Sequence, residues 1–483
     1  MHSRRHFEAS ALVGALVLTG AGCGTVVTDH DRPCADNPRY DHFYFSAEDS
    51  AERLEALRGV TEVLGDVVIG GDVANLEPMA CLRSVSGRLS IETNYAVRSL
   101  DGLERLEQVG DLHLAHLPAL TEVDALANLH TATHGVWLEG LGAADDLTGL
   151  AGLSTVSGLV YLRDIADRAA LGMTLPDAFE GDLSIEGQTL PDLSLLTGSL
   201  RTMTGQVQIN GAAAASAVDL SQLEQVDGVL SIIAAGAAPL PDLSSLHTVT
   251  GPVSLTGLDM PDMTPLAALE RAGHLSIHSC PQLQTLEGLQ SLRDLVSTVP
   301  IEIAGFGGGG LSLVDNPALT DLSALGGLEA LTPIEGQYSF VFMTELPALT
   351  SVAGTKGLVR EADFVHLGFM PSLTTLSGWE DLTRVPNFTF DNTALPNLDG
   401  LSFAANATFG DAFQMEFTGN ADLTDISALV PGPGHLVPAA GLLQVESSPA
   451  LGQCQWQALV DAAQAQGFAG DVFADGLLDD GPC

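Results

Sequence analysis

One short pattern returns along almost the whole chain: a Gly or Asp, then apolar residues alternating with polar ones. GDVVIG at Gly65, GRLSIET at Gly87, GDLHLAH at Gly110 and GDLSIEG at Gly181 are the plainest copies. Further copies start near Val136, Val160, Val207, Leu230, Val253 and Leu275, and later ones near Leu311, Val341, Val365, Phe388, Met415 and Leu443. From Val67 to Leu275 the spacing holds at about 22 to 24 residues, within the range of solenoid repeats. Beyond that it stretches, with insertions around 295–309, 326–338 and 430–440. A length of 483 residues would otherwise suggest several globular domains. Repetition replaces that expectation with a single stack of units.

Alternation with period two puts one set of side chains on each face of a strand. Leu183 and Ile185 then face inward, Ser184 and Glu186 outward. A lone strand of this kind cannot bury its apolar face. About sixteen of them, stacked in parallel at about 4.8 Å per rung, form one continuous core on the order of 75 Å long. Aromatics are 5% of the chain, so the core is expected to be aliphatic. The return half of each unit reads like Asn316 to Leu325, N-P-A-L-T-D-L-S-A-L. Pro118, Pro281, Pro317, Pro347, Pro371 and Pro449 take the same place after their strands, where a residue without an N–H suits a corner leaving the sheet. Asn94, Asn316 and Asn420 lie beside such corners and can bond the backbone of neighbouring rungs.

The ends depart from the repeat. Ser46, Glu48 and Asp49 read as the start of a helix through Arg58, with Ser46 as its cap. Gln453 to Gln466 carries Trp456, Leu459, Val460 and Ala463 at helical spacing, and Gly467 stops it. Cys34 and Cys81 flank the first turn of the pattern, and Cys454 and Cys483 bracket the last segment. Each pair reads as a disulfide in an oxidising compartment. Cys280 is left over and reads as a buried, inert thiol.

Arg4 and Arg5 followed by the short apolar run Ala9 to Ala21 read as an export signal over 1–22, too short to span a bilayer. Ser3-Arg4-Arg5-His6-Phe7 is similar to a twin-arginine signal, and the general route stays open. Ala21-Gly22-Cys23 resembles a bacterial lipoprotein box, with Cys23 lipidated and 23–33 a tether. Plain secretion or a periplasmic location is the alternative. The expected organisation is then an N-terminal cap and first rung over 34–81, a solenoid over 82–452 and a disulfide-closed cap over 453–483.

With 61 acidic against 18 basic residues the formal charge is −43. Such a polyanion repels nucleic acid and anionic lipid heads, so the membrane is expected to matter only through the lipid anchor. The acidity reads as solubility or adaptation to a salty medium, with calcium binding the alternative, although no D-x-[DN]-x-[DN]-G loop occurs. No nucleophile, metal-protease or phosphate-loop motif occurs, and no cofactor or metal is expected. Gly305 to Gly310 reads as an insertion loop.

The outward row of the strands reads Val68, Ser90, His113, Trp137, Tyr161, Ser184, Gln208, Ser231, Ser254, Ser276 and Ser312. His113, Trp137 and Tyr161 break a small, polar row on three consecutive rungs, with Glu139 and Arg163 two residues further along. An aromatic row of this kind either anchors a sugar or a protein, or simply stacks to stabilise the sheet. Phe342 and His366 form a second, fainter cluster.

The V-x-G-D-L-x-I strands, N-P-x-L-T-x-L corners and cysteine-bounded helical C-cap resemble those of bacterial surface lipoproteins with leucine-rich, receptor-L-domain-like repeats. The likeness covers nearly all of 34–483. It implies a right-handed, β-rich coil with one parallel sheet and helical caps at both ends. It also implies a non-catalytic surface protein that binds a protein or glycan. The units from Met173 to Ala238 lack the Asn-Pro corner. A spacer lipoprotein without a ligand, or a polysaccharide-active β-helix enzyme, are the competing readings. The latter lacks the clustered Asp, Lys and Arg that such sites need.

Overall fold

The computed structural model describes residues 34, 39–49, 51–234, 238–296, 302–303, 306–332, 338–380, 382–385, 387–401, 403–409, 413–431 and 437–483. The expected export signal over 1–22, the expected lipidation site Cys23 and the expected tether lie outside the described residues. Cys34 to Cys483 form one compact unit. Among the described residues the main sheet has 26 strands, and with one short antiparallel exception its pairings are parallel. The chain is therefore a β-solenoid-like parallel coil.

The registers make one unbroken ladder. Ser90 pairs with His113, His113 with Trp137, Trp137 with Tyr161, and Tyr161 with Ser184. The row then runs through Gln208, Ser231, Ser254, Ser276 and Ser312 as the alternation required. It continues through Phe342, His366, Thr389, Glu416 and Gln444 to Phe473. At the other end it reaches Tyr44 on the strand Phe43–Phe45, a rung that the sequence pattern leaves inside the cap. Inward residues such as Leu112, Leu114, Leu183 and Ile185 are fully buried. The core turns aromatic late, where Phe388, Phe390 and Phe417 pack ring on ring beneath Trp379.

Among the described residues most of the longer strands end on or beside a left-handed residue. Nine of these are not glycine, and His116, Ser279, Asp315, Glu345, Phe369 and Ser447 each stand two positions before a corner proline. The corner asparagines are buried beside them. Asn316 Nδ2 donates to the Ile277 and Val314 carbonyls, and its Oδ1 accepts from the Cys280 N–H. Asn94 and Asn420 bridge their own rungs in the same way. On the return side, Asp192, Asp242, Asp262, Asp321 and Asp425 each accept the N–H of the Ser or Thr two residues on, starting a short helical turn. Part of the chain's acidity is thus turn chemistry.

Phe369 is 55% exposed at φ +50°, an unfavourable conformation for a bulky side chain that buries little. Relief of about 1–2 kcal/mol of left-handed strain, less about 0.5–1 kcal/mol of glycine entropy, makes Phe369→Gly stabilising by up to about 1.5 kcal/mol. The check is a higher urea midpoint; a lower one would mean that the ring carries packing that its exposure hides.

The N-terminal end differs in detail from expectation, and the C-terminal end follows it. The N-terminal helix is a 3-10 helix, Ala51–Leu57, that starts later than the Ser46 to Asp49 opening expected for it. Ser46 does not cap it: its N–H and hydroxyl both donate to the Asp49 carboxylate. The C-terminal helix Gln453–Ala465 buries Trp456, Leu459, Val460 and Ala463. Disulfides join Cys34 to Cys81 and Cys454 to Cys483, and Cys280 is free and buried. The glycine run is not a loop. Phe306–Val314 is a strand whose Gly308, Gly309 and Gly310 pair with Tyr338, Ser339 and Phe340. Among the described residues no helix is long and apolar enough to cross a membrane.

Candidate functional site on the strand face

The five residues singled out early in the chain come together. Trp137 and Tyr161 stack with centroids 3.9 Å apart, and His113 meets Trp137 edge-on at 5.4 Å. Parallel, in-register pairing forces this, because equivalent side chains on adjacent rungs lie side by side. Their polar atoms already have partners. Trp137 Nε1 donates to Glu139, and the Tyr161 hydroxyl donates to Glu186. His113 Nδ1 lies 2.8 Å from the Ser90 hydroxyl. Arg163 lies 3.8 Å from Glu139 and 3.5 Å from Asp164. Tyr161 is only 9% exposed, and burial pushes its phenol up and the His113 imidazole down. A recess of about 260 Å³ opens beside His113 and Trp137, next to Arg88 and Asp111. The stack is otherwise closed on itself.

The fainter cluster borders the larger hollow of the two. Phe342 and His366 sit on paired positions, stacked at 4.5 Å. Tyr338 and Phe364 meet edge-to-face at 5.2 Å. These rings line a hollow of about 340 Å³ that runs from His278 and Ser312 past Phe340 to Asn387, Thr389, Gln414 and Glu416. The glycine strand explains the space. Gly308, Gly310 and Ser312 stand opposite Tyr338, Phe340 and Phe342, so three large side chains face a neighbouring rung that fills almost nothing. An added Cβ at Gly310 would land on the Phe340 carbonyl oxygen.

Phe340 also leans across the glycine rung onto His274, with centroids 5.3 Å apart. His274 is fully buried, and neither ring nitrogen has a hydrogen-bond partner among the described residues. Burial, reinforced by His278, pushes its pKa down to about 3. Burial likewise holds His366 at about 4. Both rings are neutral at pH 7.

The sequence pattern missed Tyr338, Phe340 and Phe364, because an insertion separates them from the regular spacing and the glycine run reads as a loop. The alternation Tyr338, Phe340, Phe342 was the available signal. Among the described residues the one grouping of ligand-type side chains is Cys454, Asp480 and Cys483, and its cysteines are bonded to each other. No protein-family model matches the chain, and no curated protein matches its sequence.

Proposed function

We propose that this chain is an exported, non-catalytic binding protein, held at the outer membrane or cell surface through Cys23, that takes a protein or glycan ligand on its strand face. The hollow between His278 and Glu416 carries the reading. Beyond middle rungs made of serine and glutamine, it joins unfilled volume to half-exposed aromatic side chains, the usual make-up of a binding pocket. The two disulfides support export, since such bonds persist in oxidising compartments. The resemblance to receptor L domains agrees with it. The spacer reading draws its support from the His113–Trp137–Tyr161 stack, whose satisfied polar atoms suit a scaffold.

The test is a pull-down and glycan array with the chain from Gly24 onward, repeated with two double variants. Phe342→Ala with Phe364→Ala is expected to weaken the captured ligand at least 100-fold, about 2.7 kcal/mol, with thermal unfolding still cooperative. A loss confined to Trp137→Ala with Tyr161→Ala moves the site to the early rungs. An absence of any ligand in both screens favours the spacer.

A further inference from the structure

The hollow has two unlike ends. Tyr338, Phe342 and Phe364 wall one, and Gln414 and Glu416 close the other. The ring faces at the apolar end are largely spent on each other: Phe342 lies 11° from parallel with His366, and Tyr338 stands on Phe364. A sugar ring, which needs an open aromatic face and partners for many hydroxyls, is poorly served here. A slender apolar stem is well served, because burying it against these walls leaves no polar group unpaired.

The polar end is acidic and uncompensated. Glu416 accepts the Gln414 amide. Asp391 stands on the adjacent rung, 4.0 Å from His366 Nδ1. Burial first, and then the charge of Glu416, push the Asp391 carboxyl up. Among the described residues no Arg or Lys pairs with either carboxylate. His366 is neutral and supplies no cation. The −43 of the whole chain adds an attractive field for positive charge and a repulsive one for anions.

Building on the binding reading above, we infer that the hollow receives a cationic group on an apolar stem, an alkyl- or aralkylammonium or a guanidinium, with the stem against Phe342 and the charge at Glu416, the carboxylate that lines it. The group arrives either on a free amine or on a lysine or arginine side chain of a partner protein. The ligand is thereby narrowed from any protein or glycan to one that presents this chemistry.

Three probes of one shape and different charge test this: benzylammonium, benzyl alcohol and benzoate. Each is titrated at pH 7 into the full chain carrying isotope-labelled histidine, with the His366 ring resonances as the reporter. Benzylammonium is expected to bind at least tenfold more tightly than benzyl alcohol at low salt, with the advantage shrinking in 0.5 M salt. Benzoate is expected to leave His366 unmoved. Glu416→Gln should erase the preference while benzyl alcohol binds as before, and Phe342→Ala should weaken both. Equal binding of ammonium and alcohol, or a preference that survives Glu416→Gln, overturns the inference and leaves the binding reading standing. That reading falls on its own evidence, when the screens above yield no ligand sensitive to Phe342→Ala. A second arm uses N-acetyl-Phe-Lys-amide. Binding tenfold tighter than benzylammonium assigns the cation to a protein side chain, and equal or weaker binding assigns it to a free amine.

Discussion

Acidification from pH 7 to pH 4.5 is expected to remove on the order of 5 kcal/mol of folding stability through two histidines alone. His274 and His366 have folded pKa values of about 3 and about 4, against an ordinary value of 6.5. Between those limits the unfolded chain binds protons that the folded chain refuses, so stability falls as pH falls. The loss begins near 6.5 and stops growing once pH drops below the folded values. By pH 4.5 each ring contributes about 2.5 kcal/mol. Denaturant midpoints measured from pH 7 to pH 4.5 check the sum. His274→Leu checks the assignment by flattening the curve by about half. It should also leave stability at pH 7 equal or higher, because it replaces two unpartnered buried nitrogens with apolar atoms. An unchanged slope in that variant would move the acid sensitivity to another group.

The second large effect comes from a single methyl group. Gly158 has φ +77°, and a Cβ there would sit on the His134 carbonyl oxygen one rung away. Gly158→Ala combines the left-handed penalty with a backbone clash that only a shifted rung relieves, a loss of about 3 kcal/mol. Gly326→Ala is the control, since its Cβ would enter open space; a change within about 0.5 kcal/mol is expected. Hydrogen exchange should place the damage in the strands Thr131–Leu141 and Gly158–Ile165. A Gly158→Ala protein as stable as the parent would mean that the close approach of these rungs is not required.

The sequence makes this coil legible because every rung restates the same two-residue alternation. Val68 to Ser312 form the outward row that the pattern assigns, and the asparagine corners and disulfides follow from residue type and place. What escaped the pattern depended on an absent side chain or on an interrupted period. The hollow exists because Gly308 and Gly310 present nothing opposite Tyr338 and Phe340, and a glycine run carries no alternation to read. The Asp-x-Ser turns were legible in Asp192, Asp242 and Asp321, yet a net charge conceals that individual carboxylates have local duties. The early aromatic patch was legible as a row. Whether its rings would face solvent or one another depends on side-chain packing that register alone does not give.

The plain serine rungs have a consequence for distance. Seven steps of the ladder separate Tyr161 from Phe342, with only Ser184, Gln208, Ser231, Ser254, Ser276 and Ser312 between them. At about 4.8 Å each they set the hollow roughly 34 Å beyond the stack. The rungs of Gln208, Ser231 and Ser254 share one register and line neither the stack nor the hollow, so a whole rung can be added or removed there with both ends still meeting in phase. Reach is then a quantised property of such a chain, adjustable in single-rung increments without redesigning anything that binds.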